Sequence, residues 1–218
     1  PNNLNDVFIE TETKNQITYS DLEKHSAAYS VGFKKLGLNR GDRVTLQVDK
    51  SVEVFFIYLA CLRSGLIFHP LNTAYKDSEL RFFLNDAEPS VFICESTIFN
   101  KIAELNLKKK PTNIFTLDSI HKIKIYENHE ILDCPDDEVA ALLYSSGTTG
   151  VPKGIVQTHR ARSHWATSNA IEMSFNSECK SLTTTALYSN GTWLMMLPTL
   201  FVGGTLYVMT GFDPKAFV

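Results

Sequence analysis

This sequence predicts an α/β fold with a largely parallel sheet, and three features predict it. Short apolar runs of strand length, such as residues 91–94 and 139–143, alternate with segments of helical length and helical apolar spacing. Strands met in that alternation belong to sheets covered by helices on both faces. Gly, Pro and helix-capping residues punctuate the joins.

The elements follow in order. Residues 8–11 and 16–19 read as a hairpin across a polar turn. Ser20, Asp21, Leu22 and Glu23 have the pattern of a capping box, opening a helix with apolar positions Leu22, Ala28, Tyr29, Phe33 and Leu36 and with Gly37 as its stop. A strand over 44–48 precedes a helix over 51–63, which is apolar on most of its surface and therefore expected to be buried. Residues 66–68 form a strand that ends at His69 and Pro70. Asp77 caps a third helix carrying Leu80, Phe83, Leu84 and Ala87, which stops before Pro89.

Strand 91–94, helix 96–105 and strand 114–117 continue the alternation, and residues 118–137 read as a connection with a short element in it. After the strand over 139–143 come a return strand ending near Val156, a helix over 158–173 and a strand over 182–185. A helix over 192–201 is expected to be interrupted or kinked at Pro198, and strand 205–209 follows Gly203 and Gly204. Asp213 and Pro214 have the residue types of a helix cap and first helical position. A chain that starts at Pro1 and stops while entering a helix is expected to be a piece of something longer.

Composition narrows the function classes. The 218 residues allow a sizeable core, and 44% hydrophobic with 21% charged residues is ordinary for a globular protein. A net charge of −3 argues against a nucleic-acid binder, and the run Lys108, Lys109, Lys110 reads as a solvated loop. Cys61, Cys94, Cys134 and Cys179 lie far apart without metal-type spacing, which fits a reducing, cytoplasmic setting. The longest apolar runs are too short to span a bilayer, and no signal peptide is visible.

The chemistry concentrates in Tyr144, Ser145, Ser146, Gly147, Thr148, Thr149, Gly150, Val151, Pro152, Lys153 and Gly154. Glycine permits the positive φ angles with which successive backbone N–H groups converge on one anion. The hydroxyls of Ser145, Ser146, Thr148 and Thr149 add donors, and Lys153 adds a mobile positive charge. The set suits a triphosphate or its departing pyrophosphate. It is not a Walker A loop, because Lys153 is followed by Gly154 and a strand instead of Ser or Thr and a helix. A flexible hairpin turn is the plain alternative. Position decides against it, since ligands bind at the carboxyl ends of parallel strands and this segment leaves one.

The segment closely resembles the signature loop of the adenylate-forming, AMP-binding enzymes, roughly (T/S)SG(T/S)TGxPKG, which residues 145–154 meet at every position. Residues 36–44, 74–80 and 200–205 also look like the acyl-CoA synthetase and 4-coumarate–CoA ligase branch. The resemblance extends over nearly the whole chain. It implies an ATP-dependent acid–thiol ligase: a carboxylate attacks the α-phosphate of ATP, and coenzyme A then displaces AMP from the acyl-adenylate. Catalytic roles fall to Lys153, Thr148 and Thr149, and phosphate contacts to Ser145, Ser146, Gly147, Thr148, Thr149, Gly150, Lys153 and Gly154. Mg²⁺ would share the pyrophosphate charge. The acid is expected to be fatty or aryl, and the thiol acceptor to be coenzyme A in preference to a carrier protein.

The acyl pocket is implied around Tyr188, Asn190, Gly191 and Trp193. The family's usual histidine is missing there, at Tyr188 or Ser189. Tyr188 and Trp193 could equally be core aromatics beside a helix start. His69 and His159 read as structural. The resemblance further implies an N-terminal portion of the large domain, with residues 50–180 in one α/β subdomain and 1–49 with 183–218 in a second, incomplete one. The metal-binding, ribose-binding and lid residues lie downstream, so the fragment alone is expected to be inactive and to self-associate through exposed edges. Two other readings stay open: a nucleotide- or pyrophosphate-binding module without catalysis, and an interaction domain of the same fold.

Overall fold

In the computed structural model, residues 3–127, 131–145 and 152–209 are described. In chain order the elements are β1 (Val7–Thr11), β2 (Gln16–Thr18), α1 (Tyr19–Lys35), β3 (Arg43–Gln47), α2 (Val52–Arg63), β4 (Ile67–Pro70), α3 (Asp77–Ala87), β5 (Val91–Cys94) and α4 (Ser96–Glu104). Then come β6 (Asn113–Thr116), α5 (Leu117–Ile120) with a 3-10 turn (His121–Ile123), β7 (Val139–Ser145), β8 (Lys153–Thr158), α6 (His159–Glu172), β9 (Lys180–Thr183), α7 (Asn190–Val202) and β10 (Thr205–Val208).

Two sheets result. One has the order β6-β5-β3-β4-β7-β8 and is parallel except for the antiparallel pair β7 and β8. The other has the order β2-β1-β10-β9, in which β1, β10 and β9 run parallel and β2 is antiparallel. This is the mixed α/β, mainly parallel architecture expected. The pairing of β1 with β10 joins the two ends of the described chain, Ile9 lying opposite Leu206. Strand β3 belongs to the six-stranded sheet, so the change from one sheet to the other falls before residue 43 and not at 49.

Helix α2 is buried on nearly every face because it stands between the sheets. Its Tyr58 ring lies 5.1 Å from Phe68 of β4 and 4.4 Å from Trp193 of α7. Helix α7 in turn packs on β9 and β10. One apolar cluster therefore runs through both sheets, from Phe68 through Phe55 and Trp193 to Leu206. A second cluster, with Leu80, Phe83, Phe92 and Ile102, lies under α3 and α4.

Several local details differ from expectation for physical reasons. The capping box of α1 is formed by Thr18 and Asp21, because Thr18 is the last extended residue (φ −81°, ψ 166°) and its N–H donates to Asp21 Oδ2 at 3.0 Å. Ser20 is inside the helix. Asp77 is the first helical residue of α3 and not its cap; the N–H of Lys76 donates instead to Glu79 Oε2 at 2.9 Å. Strand β9 ends at Thr183, two residues earlier than expected, and α7 continues through Pro198. The expected helix start at Asp213 and Pro214 lies outside the described residues.

A polar contact crosses between the sheets. Lys50, after the carboxyl end of β3, donates from Nζ to the carbonyls of Thr183 (2.7 Å) and Thr185 (3.0 Å) at the end of β9.

Candidate active site

Strand β7 leaves the sheet at its carboxyl edge, where parallel α/β sheets bind ligands. Strand β8 returns antiparallel beside it, and the last register pair is Ser145 opposite Lys153. The signature segment therefore joins the two strands of a hairpin at its turn end. Ser146, Gly147, Thr148, Thr149 and Gly150 lie outside the described residues. Ser145, Lys153 and Gly154 lie within them. Lys153 is exposed and makes no ion pair among the described residues.

The base of the hairpin is held firmly. Tyr144 donates from its hydroxyl to Asp86 Oδ2, and its ring packs 4.6 Å from Phe83 and 5.3 Å from His69. Burial and the Asp86 carboxylate keep that phenol protonated well above its ordinary range. Gly154 stands opposite Tyr144. A Cβ there would come within 3.1 Å of Leu142 Cδ1 and 3.5 Å of Tyr144 Cε1, so a glycine lets the two strands keep their side chains in place.

Beyond β8 the chain turns into α6, capped by Thr158, whose Oγ1 accepts from the N–H of Ala161 at 3.1 Å. Between β8, α6 and the start of α7 is a cavity of about 430 Å³, lined by Gln157, Ala161, His164, Trp165 and Asn190. Gln157 Nε2 donates to Asn190 Oδ1 at 3.2 Å and closes one side. A mixed wall of indole, imidazole and two amides suits a small molecule with an apolar body and some polar substitution.

The residues expected at an acyl pocket divide. Asn190 lines the cavity. Gly191 is at the second position of α7, where a Cβ would lie 3.0 Å from Thr185 Oγ1. Tyr188 is 37% exposed on the connector before α7. Trp193 belongs to the core: it has no exposure, and its Nε1 donates to the Leu187 carbonyl at 2.9 Å. Its ring fills the space between α2, α7 and β4.

His69 and His159 each lie in a sheltered setting. His69 is fully buried, its Nδ1 lies 2.8 Å from Thr45 Oγ1, and burial with nearby Arg43 pushes its pKa down to about 3. His159 opens α6 with its N–H donating to the Glu138 carbonyl, and burial lowers its pKa. Among the described residues no three His, Cys, Asp or Glu side chains gather as a metal site would require.

The family model described as AMP-binding enzyme matches residues 3–218. This chain belongs to the AMP-binding enzyme family. Within that family, 4-coumarate–CoA ligase 1 of Petroselinum crispum is 32% identical over 162 residues, covering 70% of this chain and 30% of that protein. The 2-succinylbenzoate–CoA ligase of Oceanobacillus iheyensis is 30% identical over 217 residues, covering 94% of this chain and 42% of that protein. The structure of ATP-bound MatB from Rhodopseudomonas palustris matches with a TM-score of 0.92 at 29% identity, over 100% of this chain and 44% of that one. The chain thus spans less than half the length of each of these AMP-binding relatives.

Sequence reasoning missed Gln157, Ala161, His164 and Trp165 as cavity residues of this AMP-binding chain. A signal existed for three of them, since Ala161, His164 and Trp165 share one face of a helix at i, i+3 and i+4. Nothing local says that this face meets Asn190.

Proposed function

We propose that this chain is the nucleotide-gripping part of a longer ATP-dependent carboxylate–CoA ligase, and that it activates a fatty or aryl acid as its acyl-adenylate. The observation that carries the reading is the hairpin geometry: Ser145 and Lys153 face each other where β7 leaves the carboxyl edge of the sheet. The likeness to ATP-bound MatB supports ATP as the nucleotide.

In this reading the loop's main-chain amides and hydroxyls, with Lys153, take up the charge that builds on the departing pyrophosphate. Donors already aimed at developing charge lower the barrier because they need not reorganise as it forms. Gly154 keeps the hairpin narrow behind the lysine. The cavity under Gln157 and Asn190 receives the acid's body, so its carboxylate points back toward the hairpin. Mg²⁺ enters as the counter-ion of the nucleotide, and coenzyme A is the acceptor of the acyl group.

The chain by itself is inactive in this proposal. Its β8 edge, with Ile155 43% and Val156 57% exposed, is the surface through which it self-associates. No helix among the described residues is long and apolar enough to cross a membrane, and all four cysteines are free. A cytoplasmic setting is part of the proposal on the ground of those free thiols.

The test is acid-dependent exchange of pyrophosphate into ATP by the full-length protein, over a panel of fatty, aryl and short-chain acids. Exchange with one class of acid supports the ligase. ATP–Mg²⁺ binding by calorimetry without exchange would leave a non-catalytic nucleotide module. Neither binding nor exchange would leave an interaction domain of the same fold.

A further inference from the structure

Lys50 is 4% exposed and sits where β3 hands the chain to α2. A lysine ammonium is a compact, strongly hydrated charge, so its burial needs a reason. Burial draws its pKa down to about 8, with the Glu12 carboxylate beyond β1 acting in the opposite direction. Its two hydrogen bonds go to carbonyls 133 and 135 positions along the chain, those of Thr183 and Thr185.

Neither carbonyl depends on it. The Thr183 carbonyl also accepts from the N–H of Met209 at 3.4 Å, and the Thr185 carbonyl from Thr192 Oγ1 at 2.7 Å. The lysine is thus not there to rescue orphaned acceptors. What it does is tie a connector carried by one sheet to the turn after β3 in the other.

That connector passes the constraint on. With the Thr192 hydroxyl donating to a carbonyl, the Thr185 hydroxyl is the donor across their 2.9 Å contact. Gly191 packs tightly on Thr185, where a Cβ would lie 3.0 Å from its Oγ1, and Asn190, one residue before, meets Gln157 over the cavity. A continuous path therefore runs from the Lys50 ammonium to the cavity wall.

We propose that Lys50 is a positioning residue of the acyl site, clamping the β9–α7 connector to the six-stranded sheet and so setting where Asn190 stands over the cavity. The inference rests on the cavity being the acyl site of a ligase. Its test uses the full-length protein, with Lys50→Met removing the charge and Lys50→Arg keeping it.

Two readouts are taken: amide hydrogen exchange over residues 186–193, and the Michaelis constants for acid and for ATP in pyrophosphate exchange. Lys50→Met is expected to speed that amide exchange and raise the acid KM by about tenfold or more, the scale of a lost charge-assisted hydrogen bond, with the ATP KM within about twofold. Lys50→Arg is expected to stay near wild type on both. Should Lys50→Met fail to fold, Lys50→Gln carries the same expectation. Unchanged amide exchange, acid and ATP constants rising together, or an arginine variant that behaves like the methionine one would each overturn the proposal. A wild-type protein without acid-dependent exchange would sink the ligase reading alone, since the amide measurement still decides the clamp.

Discussion

Ser145 and Lys153 are register partners at the turn end of the β7–β8 hairpin, so the lysine's backbone is tied to a strand while its side chain stays in solvent. A charge placed this way contributes little to folding. Lys153→Ala in the full-length protein is expected to lower acid-dependent pyrophosphate exchange by roughly 10²–10³-fold, the loss seen when one preorganised donor is removed from a transition state. Its stability should stay within about 0.5 kcal/mol of wild type, as for exposed substitutions generally. Exchange kinetics beside a denaturation curve check both halves, and a lysine variant that exchanges normally would remove Lys153 from the site.

A second prediction concerns helix α1. Gly32 faces the 3-10 turn, and a Cβ there would lie 2.2 Å from the Ile123 carbonyl oxygen, a backbone atom that cannot swing aside. Gly32→Ala is expected to destabilise by about 1–3 kcal/mol through overpacking, despite alanine's better helix propensity. Urea denaturation should show a lower midpoint; a midpoint at or above wild type would contradict the packing described.

Arg162 gives a prediction of opposite sign. It is 4% exposed on the buried face of α6, and among the described residues none of its three guanidinium nitrogens has a hydrogen-bond partner. Its guanidinium lies 5.7 Å from both the Trp165 and Trp193 rings. Cation–π contacts supply on the order of 2 kcal/mol when desolvated. Burying a charge costs several kcal/mol, so the contacts only partly offset it. Arg162→Met should raise stability by about 1–4 kcal/mol, measured by calorimetric melting, whereas a fall in melting temperature would mean the charge has an acceptor.

Acid sensitivity should trace to His69. Its folded pKa is about 3, while an unfolded chain titrates near the ordinary histidine value of 6.5. Below about pH 6.5 the unfolded state takes up a proton that the folded state refuses, so this group's contribution is full above that value and declines toward pH 3. Between pH 7 and 4.5 the loss should be roughly 2–3 kcal/mol. His69→Gln, which keeps a polar group near Thr45, should flatten that part of the pH–stability curve. An unchanged slope would show that other groups carry the acid response.

Much of the fold was legible because its signals are local. The buried character of α2 shows in unbroken apolar residues, and the stop of α1 shows in Gly37, whose φ is +85°. Where the reading slipped, two neighbouring residues competed for one role. Thr18 and Ser20 both have capping hydroxyls, and only the pairing of β2 with β1 decides that Thr18 stays extended. The family was legible for the same reason: the Ser, Gly, Thr and Lys types around 145–154 stand together as one local signature. The cavity beside α6 was not, because Trp165 and Trp193 look alike in sequence and differ only in what packs on them.

By itself the sequence determined the alternation of strands and helices, the family and the residues of the signature loop, since periodicity and chemical type reside in neighbouring positions. Only the tertiary structure decided that β1 lies beside β10, that Lys50 reaches Thr183 and Thr185, and that Asn190 meets Gln157 while Trp193 fills the core. Those contacts join residues from 6 to 198 positions apart, counting Trp193 to Leu187 as the shortest and β1 to β10 through Val7 and Thr205 as the longest. Their geometry is set by how two sheets and the helices between them pack as one body, and no local stretch of chain encodes it.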